Sequence, residues 1–157
     1  EVAARVLRPG GFCITYSGKM HLPEVIKRLS EHLSYYWQMI LVHTGPPAGV
    51  YPVKINTGYK PILVFYKPPI HPQSEFISDI IAGTGREKDD HEWQQAEGEI
   101  KIILERLTKP NDLILDPFAG SGTTIIGCLK NKRRCLGMEK DKETCEKAKI
   151  RIKASLS

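Results

Sequence analysis

Asp116, Gly120, Gly122 and Glu139 are the residues of this 157-residue chain whose types and spacing best suit chemistry. They fall in two stretches, "LILDPFAGSGTTIIG" (113–127) and "RCLGMEKD" (134–141). In the first, an apolar strand-like run ends in an acid and a proline. A small-residue loop follows, then an apolar segment. A loop between a strand and a helix of this kind lies at the carboxyl edge of a parallel sheet, where ligands bind. Gly120 and Gly122 allow unusual torsions and close backbone approach. The first amides of the next helix face the ligand. The second strand ends in Glu139, 19 residues beyond Gly120. An acid there can accept hydrogen bonds from both hydroxyls of a ribose. The pair of features spells a nucleoside site.

Two common phosphate motifs do not fit. A P-loop needs a lysine after its glycines, and none follows here. The dinucleotide fingerprint needs GxGxxG, whereas Gly120-Ser121-Gly122 runs into Thr123-Thr124-Ile125. Asp116 would also repel a pyrophosphate. An acid suits a cationic ligand with an amino group. S-adenosylmethionine carries an α-ammonium, a sulfonium and a ribose.

The elements that must position these residues are legible in outline. "HEWQQAEGEIKIILERLTKP" (91–110) places Ile100, Ile103, Leu104 and Leu107 at helical spacing and closes at Lys109-Pro110. "LILDPF" reads as a strand and "SGTTIIGCLKNK" as a helix with Ser121 as its cap. "RCLGMEKD" is a strand and "KETCEKAKIRIKASL" a charged helix that Asp141 can cap. Helix–strand–helix–strand–helix is the pattern of a parallel sheet with helical crossovers. Upstream, Phe12–Tyr16 reads as a strand after the Pro9-Gly10-Gly11 turn. Leu22, Val25, Ile26, Leu29 and Leu33 mark a helix. Residues 35–43 and 60–68 read as strands joined by a turn-rich loop (44–59), and two strands joined without a helix suggest an antiparallel pair. Residues 69–90 read as a loop with a short helix around Ile77–Ile81. Tyr16, Tyr35, Tyr36 and Trp37 are expected in the core. Lys130, Lys132, Arg133 and Arg134 read as a solvated basic patch, and so does the face carrying Lys147, Lys149, Arg151 and Lys153.

"DPFAGSGTT" followed by "GMEKD" closely resembles the amino-group DNA methyltransferases, which methylate the exocyclic nitrogen of adenine or cytosine. "RVLRPGGFCITYS", "KPILVFYKP" and "HEWQQAEGEIKIILERLTKPNDLILDPFAGSGTT" extend the likeness over most of the chain. Their order, with the cofactor loop near the C-terminus, matches the permuted β class, and "HEWQQ" is similar to phage and mobile-element methylases. The resemblance implies an α/β, Rossmann-like S-adenosylmethionine-dependent methyltransferase fold in one domain over residues 1–157. Its sheet would be mostly parallel, with an antiparallel strand near an edge. The resemblance also implies that Asp116, Pro117, Phe118, Gly120, Ser121, Gly122 and Thr123 line the methionine and ribose part of the site. Glu139 would hold the ribose hydroxyls with Lys140 beside the adenine, and His91, Trp93 and Gln94 would close over the methionine tail.

The family's catalytic motif is Asp, Asn or Ser, then Pro-Pro, then an aromatic, which stacks on the flipped base. "TGPPAG" (44–49) and "YKPPIH" (66–71) carry Pro-Pro without the flanking residues. In the permuted order the motif belongs upstream of Glu1, on a central strand, so the catalytic residues are expected outside this chain and the chain alone is expected to bind cofactor at best. A methyltransferase on RNA or a small molecule, and a non-catalytic nucleoside-binding module, are the competing classes.

Bulk properties agree. A net charge of +5 favours a polyanion such as DNA. Cys13, Cys128, Cys135 and Cys145 form no CxxC pair, which argues against zinc and for buried thiols in a reducing cytoplasm. No apolar run reaches the length of a membrane span. Sheet edges left by a missing strand could pair two copies into a homodimer.

Overall fold

The computed structural model describes residues 1–45, 48–50, 53–70, 75–83 and 97–156. The chain divides into two compact units, residues 1–82 and 83–157.

The first unit runs α1 (Val2–Val6), β1 (Phe12–Tyr16), α2 (Leu22–Ser30), β2 (Ser34–Val42), β3 (Ala48–Val50), β4 (Ile55–Thr57), β5 (Tyr59–Tyr66) and β6 (Ile80–Ala82). Four strands form a sheet in the order β1-β5-β2-β6. β5 is antiparallel to both its neighbours, and β6 is parallel to β2. The antiparallel strand expected near an edge thus lies second from the end, flanked on both sides. Its composition explains the placement. Ile62, Leu63, Val64 and Phe65 are wholly buried, and a run apolar on both faces must be covered on both. Pro61 has no N–H for a ladder. It sits one residue past the last β1 pair, Tyr16↔Ile62, and its carbonyl accepts from the Ser17 amide at 3.1 Å.

Leu33, Leu63 and Phe65 form a core cluster that gathers Ala3, Ala4 and Leu7 with Leu22, Val25, Ile26 and Leu29. The last four are the apolar stripe of α2. Each fully buried Leu or Phe contributes about 1.5–3 kcal/mol.

The segment around Ile77–Ile81 is not a short helix; its end forms β6, through the pairs Ile40↔Ile80, Leu41↔Ile81 and Val42↔Ala82. Three residues hold a strand only because a partner strand completes their hydrogen bonds. The turn-rich loop contains the β3–β4 hairpin. Tyr35 and Trp37 are 44% and 55% exposed, not core. The β2–β5 register shifts between them, and the Trp37 indole donates to Asp79 at 3.1 Å.

The second unit runs α3 (Glu97–Leu107), β7 (Leu113–Asp116), α4 (Thr123–Lys130), β8 (Arg134–Gly137) and α5 (Lys142–Ser155). This is the alternation read from the sequence. β7 and β8 are parallel with α4 as the crossover. Ile100 and Leu104 of α3 pack with Cys128 of α4, beside Ile114 and Cys135. A Cβ at Gly127 would lie 2.7 Å from Ile100 Cγ2, so α4 needs glycine there to admit α3. Arg133 is not solvated. It is 9% exposed; its Nε donates to Thr108 Oγ1, and its other nitrogens donate to the carbonyls of Leu104, Thr108 and Asn131. It therefore satisfies the carbonyl end of α3. No helix among the described residues is long and apolar enough to cross a membrane.

Candidate functional site

β7 and β8 end side by side, with Asp116 opposite Gly137. Parallel strands deliver both following loops to the same carboxyl edge. The backbone ties those loops together. The Met138 amide donates to the Asp116 carbonyl, and the Ala119 amide donates to the Met138 carbonyl, each at 2.8 Å. Gly137 makes the approach possible: a Cβ there would lie 2.5 Å from Ile125 Cδ1 and 3.0 Å from Ala119 Cβ.

The glycine loop is shaped by two left-handed residues, Gly120 (φ 50°) and Gly122 (φ 83°). Side chains other than glycine adopt that region at a cost of roughly 1–2 kcal/mol. Gly122, not Ser121, is the residue that caps α4. The chain needs a left-handed turn immediately before the helix, which serine supplies poorly. Asp116 folds back on its own turn, its Oδ1 accepting from the Phe118 amide at 3.0 Å. Glu139 is half-buried and faces the loop. Its Oε2 accepts from the Gly120 amide at 3.1 Å and its Oε1 from the Asp141 amide at 2.9 Å. A carboxylate oxygen has two acceptor positions, so each keeps one for a vicinal diol. Asp141 in turn caps α5 by accepting from the Thr144 amide at 2.8 Å. Its hydrogen bonds with Thr144 hold its carboxyl below the ordinary carboxylate range.

Asp116, Gly120 and Glu139 are therefore brought to one edge as the sequence suggested. Phe118 is 88% exposed on the loop, free to cover an aromatic or apolar part of a ligand. Pro117 and Lys140 are exposed beside them. Thr123 is buried, and its Oγ1 accepts from Arg151 at 2.9 Å, so its hydroxyl faces α5. His91, Trp93 and Gln94 lie outside the described residues. Sequence reading missed Arg151 and Glu97, which meet at 3.1 Å. They are 54 residues apart, and no local pattern announces such a pair.

A family model described as DNA methylase, for the N6 and N4 enzymes, matches residues 1–150. The chain belongs to the N6/N4 DNA methylase family. Among curated relatives, the type II methyltransferase M2.LlaDCHI of Lactococcus lactis subsp. cremoris is 35% identical over 81 residues, 48% of this chain and 30% of its own length. The aligned part spans less than a third of the curated relatives it matches, 28% and 30%. Among solved structures, the M1.HpyAVI–SAM complex has a TM-score of 0.78, covering 94% of this chain and 77% of its own at 24% identity. The PvuII cytosine-N4-specific DNA methyltransferase also reaches 0.78, covering 96% and 66% at 16% identity. These likenesses confirm the methyltransferase fold for this family member.

Proposed function

We propose that this site binds S-adenosylmethionine and serves methyl transfer to the exocyclic amino group of adenine or cytosine in DNA. The observation that carries the reading is the Glu139 carboxylate, held by the Gly120 and Asp141 amides beside two left-handed glycines. The donor set fits the cofactor. Glu139 would offer two acceptor positions to the ribose hydroxyls, and by the family resemblance Lys140 would lie beside the adenine. Asp116 is an acid suited to the α-ammonium, and the loop glycines let backbone approach the ligand. Pro117, Phe118 and Ser121 complete this lining. The family resemblance would assign the methionine tail to His91, Trp93 and Gln94.

Bound there, the cofactor supplies a methyl group activated on a sulfonium. This chain's residues bind and orient; positioning of that kind can account for several kcal/mol of a transfer barrier, on the order of 7 or more. Hydrogen bonding to the target amine is assigned to an Asp/Asn/Ser-Pro-Pro-aromatic motif. No such motif is written in these 157 residues. The order of the elements, strand 12–16 before loop 116–123, supports the permuted β subgroup, and "HEWQQ" supports the phage type.

Titration calorimetry of the chain with S-adenosylmethionine tests the cofactor reading, with saturable one-to-one heat expected and no heat overturning it. For the native protein, tritiated methyl should appear on amino groups of duplex DNA. Label on RNA or on a small molecule would select the competing class.

A further inference from the structure

We infer that Arg151, on the last helix, is a positioning residue that presets the cofactor loop from its far side. The inference rests on the cofactor reading of that loop, but its geometry does not. The Arg151 Nη1 donates to the Ser121 carbonyl at 3.2 Å and to Thr123 Oγ1 at 2.9 Å. Its Nη2 donates to Glu97 Oε1 at 3.1 Å. The two charged side chains are only 25% and 24% exposed. Glu97 Oε2 accepts from Lys130 at 2.8 Å, so the carboxylate in the first turn of α3 bridges α5 to the end of α4.

Apolar contacts reinforce the grip. A Cβ at Gly122 would lie 3.0 Å from Ile152 Cδ1 and 3.6 Å from Ala148 Cβ. Ala148, Arg151 and Ile152 stand at i, i+3 and i+4, one face of a helix, and that face is laid against the loop. Three consecutive loop residues are thus fixed by different partners. Glu139 takes the Gly120 amide, Arg151 holds the Ser121 carbonyl, and Ile152 packs on Gly122.

This arrangement answers a physical need. A loop with two glycines has much conformational freedom to lose when a ligand arrives. Fixing it beforehand improves affinity without adding a contact. Arginine suits the task because its planar fork can reach a carbonyl, a hydroxyl and a carboxylate together, which a lysine ammonium cannot do in the same geometry.

Arg151→Lys separates positioning from simple ion pairing, since it keeps the charge beside Glu97. Two readouts are taken on the chain. Amide hydrogen exchange at residues 119–123 needs no ligand, and it should quicken about tenfold in Arg151→Lys while exchange in β5 stays unchanged. The S-adenosylmethionine Kd should weaken by about tenfold, the scale of a lost charge-assisted hydrogen bond. Thr123→Val removes one acceptor at constant shape and should weaken binding about threefold; it serves as the decisive variant if Arg151→Lys does not fold. Unchanged loop exchange in whichever of these variants folds overturns the inference. If loop exchange quickens but the unmodified chain binds no S-adenosylmethionine, the positioning role stands and the cofactor reading falls. If the unmodified chain binds and Arg151→Lys binds equally well, the loop is not preset by Arg151 and the inference falls alone.

Discussion

The two units of the chain are stabilised differently. In residues 1–82 the central feature is β5, with four consecutive side chains wholly buried and a cluster of leucines and alanines around Phe65. Its side chains cohere through non-directional apolar burial, on a backbone laddered along both edges. In residues 83–157 the loops that carry Asp116 and Glu139 are held by directed bonds: amides to carbonyls, a carboxylate to two amides, and arginines to helix ends. Apolar burial carries no directional preference, whereas hydrogen bonds favour a narrow range of distances and angles. A ligand edge needs the second kind, and a scaffold sheet can rely on the first.

Perturbations of the two units should therefore read out differently. Phe65→Ala should have the largest effect on stability, about 3–5 kcal/mol in denaturant unfolding, because it opens a cavity in the sheet. Glu139→Gln should change the melting temperature little yet weaken S-adenosylmethionine binding by about tenfold to a hundredfold, since a charged acceptor is worth about 1.5–3 kcal/mol. A large loss of stability with unchanged affinity in that variant would break the contrast. Gly122→Ala should do both, losing about 1–3 kcal/mol to strain and overpacking and also weakening binding, as unfolding and calorimetry together would show. The smallest effect concerns Cys13, whose thiol burial pushes up from its ordinary value. A raised value in the folded state means a contribution present at neutral pH and lost as pH rises through the folded value. Stability should thus be flat near pH 7 and decline in the alkaline range, and Cys13→Ala should remove that part of the decline.

Legibility in the sequence follows whether a signal is local, not which unit it lies in. Phe12–Tyr16 was readable to the residue, because an apolar β-prone run is bounded by Pro9-Gly10-Gly11 and Gly18. The alternation of residues 97–155 was readable because apolar spacing and the Asp141 cap are local signals. β6 was not, since nothing in its three residues demands a strand apart from β2 beside it. Tyr35 and Trp37 mislead because aromatic content suggests burial, whereas both are exposed on either side of a register shift in β2. In the site, the residue types of Asp116, Gly120 and Glu139 carried the reading. Arg133 and Arg151 read as solvated charges in the sequence, because a basic residue's sequence neighbours do not reveal which distant carbonyl it meets.

The pairing of Asp116 with Gly137 has a consequence for how this segment can vary. The eight residues of α4 act as a ruler between the two ends of the ligand edge. One residue inserted into α4 would turn everything after it by roughly 100° and advance it by about 1.5 Å. Arg133 would leave its carbonyls and Glu139 would miss the Gly120 amide. A substitution at exposed Leu129 of α4 does not touch that measure. The segment from Asp116 to Asp141 is therefore constrained in length even where its surface can change, and a single-residue insertion or deletion in α4 should cost more S-adenosylmethionine affinity than a substitution at Leu129.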